Sequence, residues 1–120
     1  MTKRDVHEYN RKNYTFFLDE IKQEINKARI MAARTVNKEL ITLYWNIGKM
    51  IINQQEKHGW GKSIVERLSV DLTSSYGSSK GYSTQNLWYM RQLYYEYKGN
   101  RKLQQLVGEI PWGHNILILS

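Results

Sequence analysis

The stretch NYTFFLDEIKQEINKARIMAARTVNKELITLYWNIGKMIINQQEK, residues 13–57, contains no proline and no glycine except Gly48. Its apolar residues recur at Phe17, Ile21, Ile25, Ala28, Ala32, Val36, Leu40, Leu43, Ile47 and Met50. Steps of three and four trace one stripe along an α-helix. After Val36 a second apolar flank joins it, from Ile41, Tyr44, Trp45, Ile51 and Ile52. The pattern predicts a long helix whose first half is covered on one side only and whose second half enters the core. A helix this long needs something packed on its front half. A second copy pairing along it, or a later part of a longer protein, would serve. The plainer alternative is a break near Arg34 and Thr35 that folds two helices back on each other.

Downstream, His58-Gly59-Trp60-Gly61 stops the helix with glycines suited to a C-cap or turn. Ser63 is then the expected cap of a helix carrying Ile64, Val65, Leu68, Leu72 and Tyr76 inward, with Glu66 closing a capping box. Gly77 to Gly81 reads as a turn, and Ser83 as the cap of the next helix, on which Leu87, Met90, Tyr94 and Tyr97 share the core face. Gly99-Asn100 closes that helix, a short helical stretch follows around Leu103 to Val107, and Pro111 restarts the chain. The expected class is all-α: a long N-terminal helix, a helix-turn-helix-like (winged-helix-related) pair, and the start of a further helix. The run Ile116-Leu117-Ile118-Leu119 has no polar stop before Ser120, which suggests a fragment of a longer protein.

A chain of 120 residues with 41% hydrophobic content supports one modest core. It has no cysteine, which excludes a disulfide scaffold, a thiol nucleophile and a cysteine-ligated zinc site. No apolar run approaches the ~20 residues that span a bilayer, and Met1 to Glu8 lacks the apolar centre of a signal peptide. The expectation is a cytoplasmic protein with no membrane contact. A net charge of +7 and a pI near 9.6 favour a polyanionic partner. Acids interleaved at Asp19, Glu20, Glu24, Glu39 and Glu56 temper that inference.

Catalytic patterns fail one by one. Gly61-Lys62-Ser63 resembles the end of a P-loop, but Glu56 stands where the loop needs glycine, and a helix leads in where a strand belongs. Asp19-Glu20-Ile21-Lys22 contains the Glu-x-Lys of metal-dependent nucleases, yet it falls on a helical stripe rather than a strand beside another acid. His7, His58 and His114 are too dispersed for a metal site, and no serine sits in a nucleophile elbow. No catalytic site, metal or cofactor is expected in this segment.

The helix from Thr84 to Tyr97 is the better candidate. With Leu87, Met90, Tyr94 and Tyr97 inward, the 100° step per residue turns Gln85, Trp88, Tyr89, Gln92 and Glu96 outward. Glutamine pairs bidentately with adenine in the major groove. Lys80, Ser83 and Thr84 at the helix start suit a phosphate, and Arg91 lies near the backbone contacts or pairs with an acid such as Asp71. DNA is therefore the expected partner. The outward Glu96 and the length of the Gly77–Gly81 turn count against it. Trp88, Tyr89 and Tyr95 suit a protein interface equally well.

Four phrases occur in order: Leu43-Tyr44-Trp45-Asn46-Ile47-Gly48, His58-Gly59-Trp60-Gly61, Tyr82-Ser83-x-x-Asn86-Leu87-Trp88-Tyr89-Met90-Arg91, and Ile110-Pro111-Trp112-Gly113-His114-Asn115. Together they resemble the N-terminal domain of the YhcG-like family of bacterial proteins, from about Ala28 to Leu119. The expected division is thus residues 1–27 as an extension of the long helix and 28–120 as the domain. In that family a C-terminal nuclease-like domain of the PD-(D/E)XK type follows. The resemblance implies a DNA-recognition or assembly module beside a catalytic domain absent from this chain. The alternative is a protein-interaction module, dimerised through the long helix, with no nucleic-acid contact. The Pro111–Asn115 phrase reads as a structural junction at a helix start.

Overall fold

The computed structural model describes residues 11–120, so the polar N-terminal residues up to Glu8 and His7 lie outside the described part. Its elements are α1 (Arg11–His58), α2 (Ser63–Tyr76), a 3₁₀ turn (Ser78–Lys80), α3 (Thr84–Tyr97), α4 (Arg101–Val107) and α5 (Trp112–Leu119). No strand occurs among the described residues, and the protein is all-α, as its periodicity predicts. The chain divides into two compact units, Met1–Thr35 and Val36–Ser120.

In the first unit the described residues belong to α1, and their apolar stripe is exposed: Phe17 is 57%, Ile21 43% and Ile25 45% accessible. The second unit holds the core. Ile41, Tyr44, Trp45 and Ile51 of α1 pack with Val65 of α2, Leu87, Met90 and Leu93 of α3, and Val107 of α4. The second flank of α1 is the side that this core buries, while Leu40 and Ile47 of the main stripe are only partly buried against it. Leu43 and Met50 of the main stripe remain exposed.

Gly48 explains how α1 approaches α3. A Cβ built there would lie 2.0 Å from the Met90 carbonyl oxygen, so only glycine lets the two backbones come this close. Edge-to-face packing of Trp45 on Tyr94, with ring centroids 5.2 Å apart, fills the adjoining space.

Helix ends follow local chemistry. Gly59, at φ 66, takes the left-handed conformation that stops α1. Ser83 caps α3, its hydroxyl oxygen accepting from the Asn86 amide at 3.2 Å. Ser63 does not cap α2, contrary to expectation. Lys62 occupies the cap position with helical angles and makes no side-chain cap bond. Ser63 therefore sits one residue inside the helix, and backbone bonds close the turn, with Val65 N donating to Lys62 O at 3.0 Å. Asn100 caps α4 by accepting from the Leu103 amide at 3.0 Å.

Two asparagines fasten the α4–α5 connection. Asn37 of α1 donates to the carbonyls of Gly108 and Ile110, each at 3.1 Å. Asn115, 1% exposed, donates to Val107 O, Ile110 O and Pro111 O at 3.3, 3.0 and 3.4 Å. A Lys38–Glu109 ion pair at 2.9 Å closes the same region. The Pro111–Asn115 phrase thus holds a junction together.

Candidate nucleic-acid interface

Position on α3 decides what each expected contact residue can do. Lys80 is exposed at the end of the 3₁₀ turn, and Gln85 is exposed in the first turn of the helix. Thr84, Trp88 and Tyr89 are half-buried. The Ser83 oxygen is occupied by its cap bond, but its hydroxyl hydrogen is still available to donate.

Gln92 is positioned differently from the simple helical projection. Its Nε2 donates to the Leu119 carbonyl at 2.7 Å, so α5 covers the sector that the 100° rule assigned to solvent. Leu93, which the projection did not place inward, is fully buried. Arg91 pairs with neither Asp71 nor another acid in the hydrogen bonds observed: its Nε donates to Gln55 Oε1 at 2.7 Å. Asp71 instead faces Arg67 at 3.9 Å.

A second set of residues emerges beside these. Arg91 lies 5.6 Å from the Trp88 ring centroid and 6.0 Å from that of Tyr95. Lys98 lies 5.2 Å from Tyr95 and 5.9 Å from Tyr94. Trp88, Arg91, Tyr95 and Lys98 follow one another at intervals of three and four residues, which aligns them along one side of α3. Tyr95 is 57% exposed. Glu96 lies about 100° round the helix from Tyr95, off this stripe. Sequence reasoning missed Lys98, although its spacing from Arg91 and Tyr95 was the available signal.

A separate, largely apolar surface lies between α1 and α2. A groove of about 490 Å³ is bounded by Leu43, Ile47 and Met50 of α1, Leu68 and Tyr76 of α2, and Trp60 between them. Tyr82 also lines the groove, and its carbonyl accepts from the Ser69 hydroxyl of α2 at 2.8 Å. Tyr44, on the core side, has its phenol pKa pushed above 10.0, chiefly by burial and secondarily by Tyr82.

Asp19, Glu20 and Lys22 lie exposed on α1, not on a strand. Gly61-Lys62-Ser63 forms the α1–α2 junction. No group of three or more His, Asp or Glu side chains is placed to hold a metal ion among the described residues. No helix there is long and apolar enough to cross a membrane.

The chain is 29% identical over 90 residues to the Escherichia coli (strain K12) protein named "Putative nuclease YhcG", a match covering 72% of this chain and 24% of that protein. The chain therefore spans about a quarter of the length of the curated relative it matches. No solved structure matches it. The profile of the DUF1016 N-terminal domain matches residues 20–120, nearly the whole chain, and the protein belongs to that family.

Proposed function

We propose that this chain is a non-catalytic DNA-binding module whose contact surface is the exposed side of α3, working in the bacterial cytoplasm beside a nuclease-like domain in the longer protein. The observation that carries the proposal is the stripe of Trp88, Arg91, Tyr95 and Lys98, which alternates aromatic rings with cations on one helix side. Cations neutralise phosphates, and ring faces pack on sugars and bases. Lys80, Ser83, Thr84 and the amides of the first turn of α3 add phosphate contacts, while Gln85 and Tyr89 are the base-reading candidates. Gln92 reads a base only by giving up its bond to Leu119, so its part is secondary. The net charge of +7 supports the reading, as does the word nuclease in the relative's name.

Fluorescence anisotropy of labelled duplex DNA, titrated at low and moderate salt, tests it. Binding should weaken as salt rises, with log K falling about 0.9 per log salt for each phosphate contacted. Lys98→Ala should reduce that slope by about one. Gln85→Ala should weaken binding to a preferred sequence while leaving the slope intact. Salt-dependent binding that ignores both variants would move the contact to another basic face. Absence of binding at low salt would favour the second reading, a protein-interaction module, which the apolar groove between α1 and α2 supports.

A further inference from the structure

The apolar stripe of the first unit is too continuous to be surface noise. Leu18, Ile21, Ile25, Ala28 and Ala32 follow at alternating intervals of three and four on α1. That is the a/d spacing of a coiled coil, with Leu18, Ile25 and Ala32 at a, and Ile21 and Ala28 at d. Phe17 and Met31, both exposed, widen the seam from adjacent g positions. Ile21 and Ile25 are more than two-fifths exposed, so pairing along this stripe would remove their apolar surface from water.

We infer that this stripe pairs with the same stripe of a second copy of the chain, as a parallel, in-register two-stranded coiled coil. Charge selects the partner and the direction. In the register set by Leu18 and Ile21, Glu24 falls at g and Arg29 at e. In a parallel dimer a g residue lies beside the e residue five positions further along the partner, so Glu24 meets Arg29 of the second copy, once on each side of the seam. In an antiparallel pair, where a packs against d and Ile25 faces Ala28 of the second copy, e faces e, which sets Lys22 beside Arg29 of the second copy and leaves Glu24 without an opposite charge. The proposal is independent of the DNA-binding reading: dimerisation concerns the first unit, and α3 belongs to the second.

The absence of native cysteine makes the test clean. Sedimentation equilibrium of the full chain should give a monomer–dimer equilibrium. Ile25→Asp should raise its dissociation constant by about a hundredfold or more, with an unchanged far-ultraviolet spectrum of the monomer. Glu24→Arg and Arg29→Glu should each weaken the dimer about fivefold, and the double charge swap should restore it. Under air oxidation, Leu18→Cys should form a disulfide-linked dimer by itself, because the two copies of position 18 face each other only in the parallel arrangement. A disulfide that forms only when Ile21→Cys is mixed with Ala32→Cys, a d and an a position that meet in the antiparallel register, would overturn the parallel direction. A chain monomeric at all concentrations, or a dimer indifferent to Ile25→Asp, would overturn the proposal and leave the stripe to another part of the longer protein.

Discussion

At residue scale, Gly48 and Tyr44 carry consequences that their neighbours do not. The carbonyl of Met90 occupies the position where a Cβ at residue 48 would go, and backbone cannot swing aside as a flexible side chain can. Gly48→Ala should therefore destabilise by at least the upper end of the about 1–3 kcal/mol typical of overpacking, read by urea denaturation. Gly113→Ala, with open space around the new methyl, should cost little by the same measurement. A variant Gly48→Ala as stable as the parent would show that α1 and α3 do not meet at this distance. Tyr44 responds to pH. Its phenol pKa is raised by burial, so the folded chain holds this proton more tightly than the unfolded one. Its contribution is fully present below pH 10 and is lost as pH rises through the higher folded value. Melting temperature should fall above pH 10, and Tyr44→Phe should flatten that fall. The sequence marked Gly48 as the lone glycine in a long helical run, and Tyr44 as part of an apolar flank. It showed neither the facing carbonyl nor the neighbouring Tyr82, because both depend on which helix crosses where.

At element scale, the helical periodicity of α1 and α3 was legible, but which sides their neighbours cover was not. The second flank of α1, visible in sequence at Ile41, Tyr44, Trp45, Ile51 and Ile52, is buried throughout. The main stripe, equally apolar, instead borders an open groove at Leu43 and Met50. Periodicity locates a stripe on a helix and leaves the partner for each stripe undetermined. On α3 the same limit put Gln92 toward solvent, where α5 in fact meets it. The Ser63 cap failed for a related reason, since Lys62 already has helical angles and shifts the helix start by one residue. Because the Gln92 amide bonds Leu119, Gln92→Ala should lose about 0.5–1.5 kcal/mol of stability in urea titrations. It should leave DNA affinity nearly unchanged, whereas Lys98→Ala should do the reverse. A Gln92→Ala variant of parental stability but impaired DNA binding would return this residue to the contact surface.

At the scale of the whole molecule, the division into two compact units separates folding from association. Among the described residues, the buried cluster is drawn wholly from the second unit, from Ile41 to Val107. The boundary at residues 35 and 36 is where the buried positions of α1 begin to accumulate, and the widening of the apolar pattern after Val36 is its trace in the sequence. A chain starting at Val36 therefore retains every buried residue among those described and should unfold cooperatively by calorimetry. It should also keep the DNA affinity of a single α3 surface, since Lys80 to Lys98 remain. What it loses is the stripe from Leu18 to Ala32. A partner that binds only the folded state stabilises it by mass action, so the full chain should melt at higher temperature as its concentration rises. The truncated chain should melt at one temperature across the same range. Linking two DNA-binding surfaces in one particle should also tighten binding to DNA carrying two sites, an effect the truncation removes. A truncated chain that fails to fold would show instead that residues before Val36 are needed to build the second unit, and would join two roles that the distribution of buried side chains keeps apart.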